Sequence, residues 1–293
     1  MTLLSVIVPV REMAGRLQNL RRWLAVVGDK SLEVIIVHDF FDEATDVELR
    51  QIGKEFQHLR IKIFTEKLNS PGLARNIGIE RASGEFISFW DSDDLPKVDA
   101  VMSDLSTTEK NIDVLIGQFE SVESARPGVG RFKSDDSQLI DLALNPGLWR
   151  MAFRAEKLLG IRFSKYKMGE DQDFLASVIT TTDRLKFSNR IWYTYFTNNS
   201  GQLTLNKSAI KELKDLIPRA TLHQKHASPV ILPVIMVMQI RKVITLFRTN
   251  SVIGSLTFFK YLADSLRIGG IKVLPTFIWS LGYACIHSGV NKI

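Results

Sequence analysis

The sequence predicts an α/β fold, in which a mostly parallel sheet with flanking helices is followed by a helical C-terminal region. Two observations predict it. Over the first half of the 293-residue chain, short apolar runs of strand length alternate with stretches of helical periodicity. From residue 207 onward the pattern is helical and strand-like runs are rare. We therefore expect one domain over residues 1–205 and a helical region over residues 206–293.

Four runs in the first ninety residues have the length and composition of buried parallel strands. They are LLSVIVPV (3–10), LEVIIVHD (32–39), LRIKIF (59–64) and EFISFW (85–90). Between them lie a helical stretch at 15–27, an amphipathic stretch from Val47 to Phe56, and a helix introduced by Pro71. In sheets built this way, ligands bind where the strands end at their carboxyl ends.

The second half of the predicted domain is less regular. Its expected elements are a strand at 111–122, a turn or short hairpin at 128–132, a strand–helix unit at 147–160, a helix at 169–181 and an aromatic strand at 190–197. No internal repeat or low-complexity segment interrupts them.

The net charge of +6 is unevenly distributed. Residues 205–293 hold twelve Lys and Arg against three acids, so the preceding residues hold 26 bases and 29 acids. A basic, apolar-rich segment suits an anionic surface such as lipid or nucleic acid. The single cysteine, Cys285, excludes an internal disulfide framework and a cysteine zinc site. With no signal peptide expected, the predicted location is a reducing, cytoplasmic compartment.

The stretch FWDSDDLP places three carboxylates, Asp91, Asp93 and Asp94, directly after the fourth strand. Carboxylates at alternating positions in a turn can converge on a hard cation such as Mg²⁺ or Mn²⁺, which also takes phosphate oxygens. The alternative is a solvated strand-to-helix turn, in which Asp94 or Ser92 caps the helix. The pattern by itself leaves both open.

Two further stretches have a structural and a functional interpretation. SPGLARNIGIERASGEF (70–86) predicts a helix that begins near Pro71; its N-terminus and Arg75 could instead face a phosphate group. MGEDQDF (168–174) places acids where they favour a helix dipole, or provides Asp171 as a general base. A phosphate-binding G-x-x-x-x-G-K-[ST] loop is absent from the sequence.

Taken in order, these segments resemble family 2 glycosyltransferases with the GT-A fold, over roughly residues 3–205. The stretch SPGLARNIGIERASGEFISFWDSDD is similar to the donor-binding and DXD region of that family. LWRMAFRAEKL followed by GEDQDF resembles its acceptor-side segment and ED motif, and IWYTYFTNNSGQLT its aromatic strand and turn. The resemblance implies an inverting, metal-dependent enzyme of bacterial polysaccharide biosynthesis that uses a nucleotide-sugar donor, with a UDP-sugar expected.

The resemblance also implies roles for individual residues. Asp171 would be the catalytic base, supported by Glu170, and Asp93 would bind the divalent cation, Mn²⁺ or Mg²⁺. Trp149 would lie on the acceptor side. The implied donor-binding residues are Pro9, Val10, Asp39, Gly72, Arg75, Asp91, Ser92 and Asp93, with Asp39 at the base, Arg75 near the diphosphate and Asp91 at the ribose.

The sequence departs from the family pattern at two places. Arg11 and Glu12 follow the first strand, where the family has an aromatic and a small polar residue. Asp39 is followed by Phe40 and Phe41, where the family has glycine and serine, so the turn differs and the base of the donor stays open. A membrane-bound binding protein of the same fold, or a nucleotidyltransferase, are the alternative functions.

The basic tail has two interpretations. Its apolar runs, such as PVILPVIMVMQI (229–240) and VLPTFIWSLGYACI (273–286), fit amphipathic helices on an anionic membrane surface, which would suit a glycan or lipid-linked acceptor. They equally fit a helical appendage that packs on the catalytic domain or forms a homo-oligomer. Nucleic acid is not an expected partner, because no recognition motif is present. We thus expect a peripheral protein on the cytoplasmic face of the membrane.

Overall fold

The computed structural model describes residues 2–28, 30–123, 132–133, 139–197 and 210–288. The chain forms two compact units. The first unit comprises residues 1–135, 147–165 and 184–199; the second comprises residues 136–146, 166–183 and 200–293. The predicted boundary near residue 205, the segment NNSGQLT and all but the last residue of the predicted turn at 128–132 lie outside the described residues. The second unit includes two segments that precede residue 205, and the predicted division at that residue stays a prediction.

One mixed sheet forms the centre of the first unit. Its strands are β1 (Leu4–Val10), β2 (Leu32–Asp39), β3 (Ile61–Glu66), β4 (Phe86–Phe89), β5 (Leu95–Pro96), β6 (Val114–Glu123), β7 (Phe132–Lys133), β8 (Met151–Arg154) and β9 (Leu185–Thr197). They lie in the order β3-β2-β1-β4-β8-β6-β9-β5, with β7 paired to β6. β1 is parallel to β2 and β4, β2 to β3, and β6 to β9, while β8 runs antiparallel to both of its neighbours.

Helices accompany this sheet in the first unit. They are α1 (Gln18–Leu24), α2 (Glu43–Glu55), α3 (Pro71–Arg81) and α4 (Val98–Ser106), with single 3-10 turns at Leu148–Arg150 and Ala155–Leu158. α2 begins where the Asp42 side chain accepts a hydrogen bond from the Thr45 amide. β2 is buried along its whole length and β1 along most of it, which explains why these strands read as continuous apolar runs.

The second unit is helical in its described residues. It contains α5 (Asp141–Leu144), α6 (Glu170–Ile179), α7 (Leu213–His223), α8 (Ile231–Thr249), α9 (Ser251–Gly269), a 3-10 turn at Ile271–Val273 and α10 (Leu274–His287). α8 is its central element, because α5, α7, α9 and α10 all pack against it. The side chain of Arg241 on α8 donates to the carbonyls of Ala143 and Leu144 and so satisfies acceptors at the end of α5.

The α/β fold predicted from the sequence is confirmed, and three details differ. The segment 147–160, predicted as a strand–helix unit, is a four-residue strand between two 3-10 turns and contains no α-helix. The aromatic strand begins at Leu185 rather than at residue 190. α4 was not predicted, because its buried stripe of Val98, Val101 and Leu105 spans only nine residues and has no side-chain cap.

Glu33 is a buried carboxylate that ties β2 to the neighbouring strand and to the end of α3. It accepts hydrogen bonds from the Ser5 hydroxyl at 2.6 Å and from the Ser83 amide at 2.6 Å, and it pairs with Lys62 at 2.9 Å. Burial by itself would raise the pKa of Glu33, but these hydrogen bonds outweigh it and lower the pKa from 4.5 to about 2. The ionised carboxylate therefore stabilises the folded first unit.

We expect Glu33→Gln to reduce the free energy of unfolding most at neutral pH. A folded-state pKa below the unfolded value gives stability that is present above about pH 4.5 and is lost as the pH falls toward 2. The shift corresponds to roughly 3 kcal/mol. Urea unfolding across this range should show the difference between the two proteins shrinking as the pH falls. Glu66→Gln, on an exposed side chain, is the control; a pH-independent difference for Glu33→Gln would contradict the assignment.

Candidate active site

Three neighbouring parallel strands of the first unit end at one edge of the sheet. β1 lies between β2 and β4, and Val10 is aligned with His38. Pro9 and Val10 end β1, Asp39 ends β2, and the loop that begins at Asp91 follows β4. The predicted donor-side residues outside α3 therefore lie at the carboxyl ends of adjacent strands, where ligands bind in sheets of this kind.

Asp39 is the most heavily bonded side chain at this edge. One carboxylate oxygen accepts from the amides of Leu68 and Asn69 at 2.8 and 2.9 Å. The other accepts from the Ser70 amide at 3.2 Å and from Arg11 at 2.8 Å. Burial raises the pKa of Asp39, and these bonds outweigh it, so the net shift is downward. A nucleobase could contact this carboxylate only by sharing or replacing one of the four bonds.

Basic and aromatic side chains lie around Asp39, and several of them stand where the sequence departs from the family pattern. The Arg11 guanidinium lies 4.9 Å from the centre of the Phe41 ring, which is 55% exposed. Lys67 lies 5.5 Å from the Phe40 ring. Arg11 is thus held by a carboxylate and by an aromatic ring, with about a third of its side chain exposed.

α3 orients Arg75 toward the acidic loop. The helix begins after Ser70, whose hydroxyl accepts from the Leu73 amide, and Pro71 and the buried Gly72 form its first turn. Arg75 then donates to Asp91 at 3.3 Å and lies 5.5 Å from the Phe163 ring. Since Asp39 holds the three residues that precede α3, it also fixes the start of the helix that carries Arg75.

The four residues of the acidic loop divide into two kinds. Asp91 and Asp93 are partly exposed, whereas Ser92 and Asp94 are buried. Asp94 accepts a hydrogen bond from the Phe196 amide at 2.8 Å, and burial together with the charges of Asp93 and Asp91 raises its pKa well above its usual range. Asp94 therefore anchors the loop to β9.

The interpretation of Asp94 or Ser92 as a helix cap is wrong. α4 begins only at Val98, and its first turn receives no side-chain cap. Across the described ranges, no three His, Cys, Asp or Glu side chains are arranged to hold a metal ion by themselves. A Mg²⁺ or Mn²⁺ ion in a nucleotide site needs only one or two carboxylates, because phosphate oxygens and water complete its shell. Asp91 and Asp93 could serve in that way.

Aromatic rings support the loop from β9. The Tyr193 hydroxyl accepts a hydrogen bond from the Asp91 amide at 2.9 Å, and burial raises the pKa of Tyr193 well above its usual range. Trp149 stacks on Tyr193 and on Tyr195, with ring centres 4.7 and 5.3 Å apart. The structure places Trp149 in this stack behind the Asp91 loop; its predicted role toward an acceptor stays a prediction.

Glu170 and Asp171 lie in the second unit, in the first turn of α6. Gly169 precedes them with a φ of 80°, a left-handed conformation that favours glycine. Glu170 is buried, and Asp171 is partly exposed, with one oxygen accepting from the Gln172 amide at 2.7 Å. Asp171 thus has the access that a general base requires.

A group of charged residues that the sequence did not identify surrounds the start of α6. Asp173 is buried and lies 3.7 Å from Arg219 and 3.5 Å from His223. Lys242 on α8 is buried and contacts the Gly169 carbonyl at 3.5 Å. Burial lowers the pKa of Lys242, although the charges of Asp173, Asp171 and Glu170 oppose this. The only sequence signal for Lys242 is a lysine next to a long apolar run.

The family model described as "Glycosyl transferase family 2" matches residues 5–166. Among curated proteins, TarS of Staphylococcus aureus, a poly(ribitol-phosphate) beta-N-acetylglucosaminyltransferase, is 26% identical over 68% of this chain and 36% of its own length. Glycosyltransferase GlyA of Streptococcus pneumoniae is 24% identical over 66% of this chain and 30% of its own length. The chain therefore spans about a third of the length of these relatives.

Solved structures confirm the fold class. The structure of S. aureus TarS 1–349 in complex with UDP matches this chain with a TM-score of 0.69 and 18% identity. The match covers 97% of this chain and 90% of the TarS chain. The mannosyltransferase PcManGT of Pyrobaculum calidifontis, in complex with GDP-Man and Mn²⁺, covers 99% and 88%, with a TM-score of 0.59 and 14% identity. The match includes the helical C-terminal region as well as the sheet.

We expect Asp39→Asn to loosen the segment that precedes α3. An amide offers one acceptor oxygen where the carboxylate offers two, so amides at Leu68, Asn69 or Ser70 lose their partners. The cost should be about 2 kcal/mol, and hydrogen exchange should accelerate at these three amides. Arg11→Gln is the control, because it removes only the fourth bond. Unchanged exchange in Asp39→Asn would show that the carboxylate does not hold the segment.

Proposed function

The chain belongs to glycosyl transferase family 2, and we propose that it transfers a sugar from a UDP-sugar to a hydroxyl group with inversion at the anomeric carbon. That it is a glycosyltransferase follows from the family and from its relatives. We propose the identity of the donor, the cation and the acceptor, and the role of each residue. The observation that carries it is the contact of Arg75 with Asp91, in the loop after β4 that also holds Asp93, at the edge where β1, β2 and β4 end.

The donor diphosphate would bind at this strand edge. Arg75 provides positive charge and the Gly72 amide in the first turn of α3 provides a donor, and both suit phosphate oxygens. A divalent cation fits the same loop, because Asp93 and Asp91 are its partly exposed carboxylates whereas Asp94 is turned toward β9. Held by Asp93, Mn²⁺ or Mg²⁺ would neutralise charge on the departing nucleoside diphosphate.

A UDP-sugar is the proposed donor because solved structures of the similar TarS protein contain UDP and UDP-GlcNAc. PcManGT, with a lower TM-score, contains GDP-Man, so guanine is the alternative base. Asp39 is occupied by four hydrogen bonds, and Arg11 and Phe41 replace the usual neighbours of the site. The base preference of this chain therefore depends on residues that differ from the family pattern.

Asp171 would act as the general base. The acceptor oxygen forms a bond to the anomeric carbon while the bond from that carbon to the diphosphate breaks, and the hydroxyl proton passes to the Asp171 carboxylate. Glu170, which is buried next to it, would support the start of α6. A single displacement of this kind inverts the anomeric carbon. The acceptor would be a glycan or lipid-linked hydroxyl in surface polysaccharide synthesis, a class suggested by the poly(ribitol-phosphate) transferases among the relatives.

We expect metal-dependent binding of UDP that requires Asp93. UDP, GDP and CDP are each titrated into the protein by calorimetry, with and without Mn²⁺. UDP should bind tightly, and only when Mn²⁺ is present. Asp93→Asn should lower that affinity by at least about 10-fold, because it removes a carboxylate from the cation. Asp99→Asn, an exposed carboxylate on α4, is the matched control. Equal affinity of Asp93→Asn and the control would remove Asp93 as the metal ligand.

We expect Asp171→Asn to lower the rate of sugar transfer while it still binds the donor. An amide cannot accept the hydroxyl proton, so the rate should fall by roughly 10²–10⁴-fold, with UDP affinity unchanged. The measurement is UDP release from UDP-GlcNAc with a panel of glycan and polyol-phosphate acceptors. Asp215→Asn on the exposed side of α7 is the control. A variant that transfers at the control rate would show that another group takes the proton.

A further inference from the structure

The two C-terminal helices of the second unit expose large apolar side chains. On α9 these are Val252, Leu256 and Phe259, each 66–67% exposed. On α10 and the turn before it they are Ile271, Ile278, Trp279 and Ile286, between 50% and 80% exposed. The spacing places each set along one side of its helix. We call these seven residues the α9–α10 face.

The buried sides of the same helices have the opposite character. Their fully buried residues are Gly254, Thr257, Tyr261 and Ser265 on α9, and Phe277, Ser280 and Ala284 on α10. Of these, only Phe277 is a large side chain without a polar atom. Phe277 lies against Phe258 and Tyr261, with ring centres 6.0 and 5.5 Å apart, so the two helices contact each other. A helix that faces water shows the reverse arrangement, with its large apolar residues inside.

Basic side chains border the α9–α10 face. Arg248, Lys260, Arg267 and Lys272 are exposed. From Ile231 to Ser288 the sole acidic residue is Asp264, and it lies 3.5 Å from Arg267. Apolar side chains surrounded by exposed cations match the two layers of an anionic lipid surface, with acyl chains below and headgroup phosphates above.

The length and composition of α9 and α10 decide whether they could cross a bilayer or only lie on its surface. Among the described helices, none by itself is long and apolar enough to cross a membrane. α9 and α10 meet the length and composition test only as a pair, and they are bent by 117° at the break around Gly270. Two helices bent in this way can each place one side on the same interface.

We propose that the α9–α10 face binds an anionic lipid bilayer, with its apolar side chains at the acyl boundary and its cations at the headgroups. A second copy of the chain fits less well, because a two-fold contact pairs a patch with itself and would bring these cations together. The proposal does not depend on the sugar donor or on the roles of Asp93 and Asp171. It gives the helical region a binding function of its own.

Flotation with vesicles of phosphatidylcholine, with and without phosphatidylglycerol, tests the proposal on the full chain. Binding should require the anionic lipid and weaken with salt. Lys260→Gln/Lys272→Gln should reduce partitioning by about 30-fold, since each cation near such a surface contributes about 1 kcal/mol. Leu256→Ser/Phe259→Ser/Ile278→Ser/Ile286→Ser should abolish it. Val26→Ser/Leu159→Ser, at exposed apolar residues of the first unit, should bind as the parent does.

Trp279 gives a second, position-specific measurement. It is half exposed on the face, so brominated lipids should quench its fluorescence, and Trp279→Phe should remove the quenched component. Equal binding of the four-serine variant and the control would overturn the proposal. It would also be overturned by a concentration-dependent dimer that the four-serine variant abolishes, with no vesicle binding by the parent. UDP binding is titrated for each variant as well. A variant that loses vesicle binding but still binds UDP has an intact donor site, so the two failures can be told apart.

Discussion

The strand edge of the first unit depends on one constraint: a carboxylate taken out of water must keep its hydrogen bonds. Asp39 meets this constraint with two donors on each oxygen, drawn from Arg11 after β1 and from three consecutive amides before α3. These bonds fix where α3 begins, and α3 in turn fixes Arg75 against Asp91. Asp39, at the end of β2, therefore determines where the Arg75 guanidinium lies beside the loop that follows β4.

The other buried acids differ in how far they meet this constraint. Glu33 is stabilised in its ionised form by hydroxyl, amide and lysine donors. Asp94 lies near two other carboxylates, and burial with like charges favours its protonated form. Asp173 has Arg219 and His223 at 3.7 and 3.5 Å but no hydrogen bond from the described residues to its buried Oδ1. Lys242 contacts the nearby Gly169 carbonyl. The acids of this chain thus differ in role because their surroundings differ, although they look alike in the sequence.

Periodic features of the fold could be predicted from the sequence, because they depend on neighbouring residues. This holds for strands β1, β2 and β4. The order of the acidic motifs could also be predicted, because it is read directly from the sequence. The partners of Asp39 and the contact of Lys242 with Gly169 join residues 28 to 73 positions apart, and no local pattern encodes them. The orientation of α9 and α10 is a third kind of information. Periodicity shows that each helix has an apolar stripe, but only packing shows that the large side chains face outward.

The bonds of Asp39 also bear on how the first unit assembles. The bonds from Leu68, Asn69 and Ser70 span 29 to 31 positions, and α2 and β3 lie within the loop that they close. Such contacts repay the entropy of loop closure only after the enclosed elements have docked. Local hydrogen bonds of α2 need no such closure and can form first. Other pairings of the sheet close longer loops, such as Phe86 with Arg154 and Leu95 with Thr194. The part of the strand edge that Asp39 organises needs only the first seventy residues, so it can take shape before the sheet is complete.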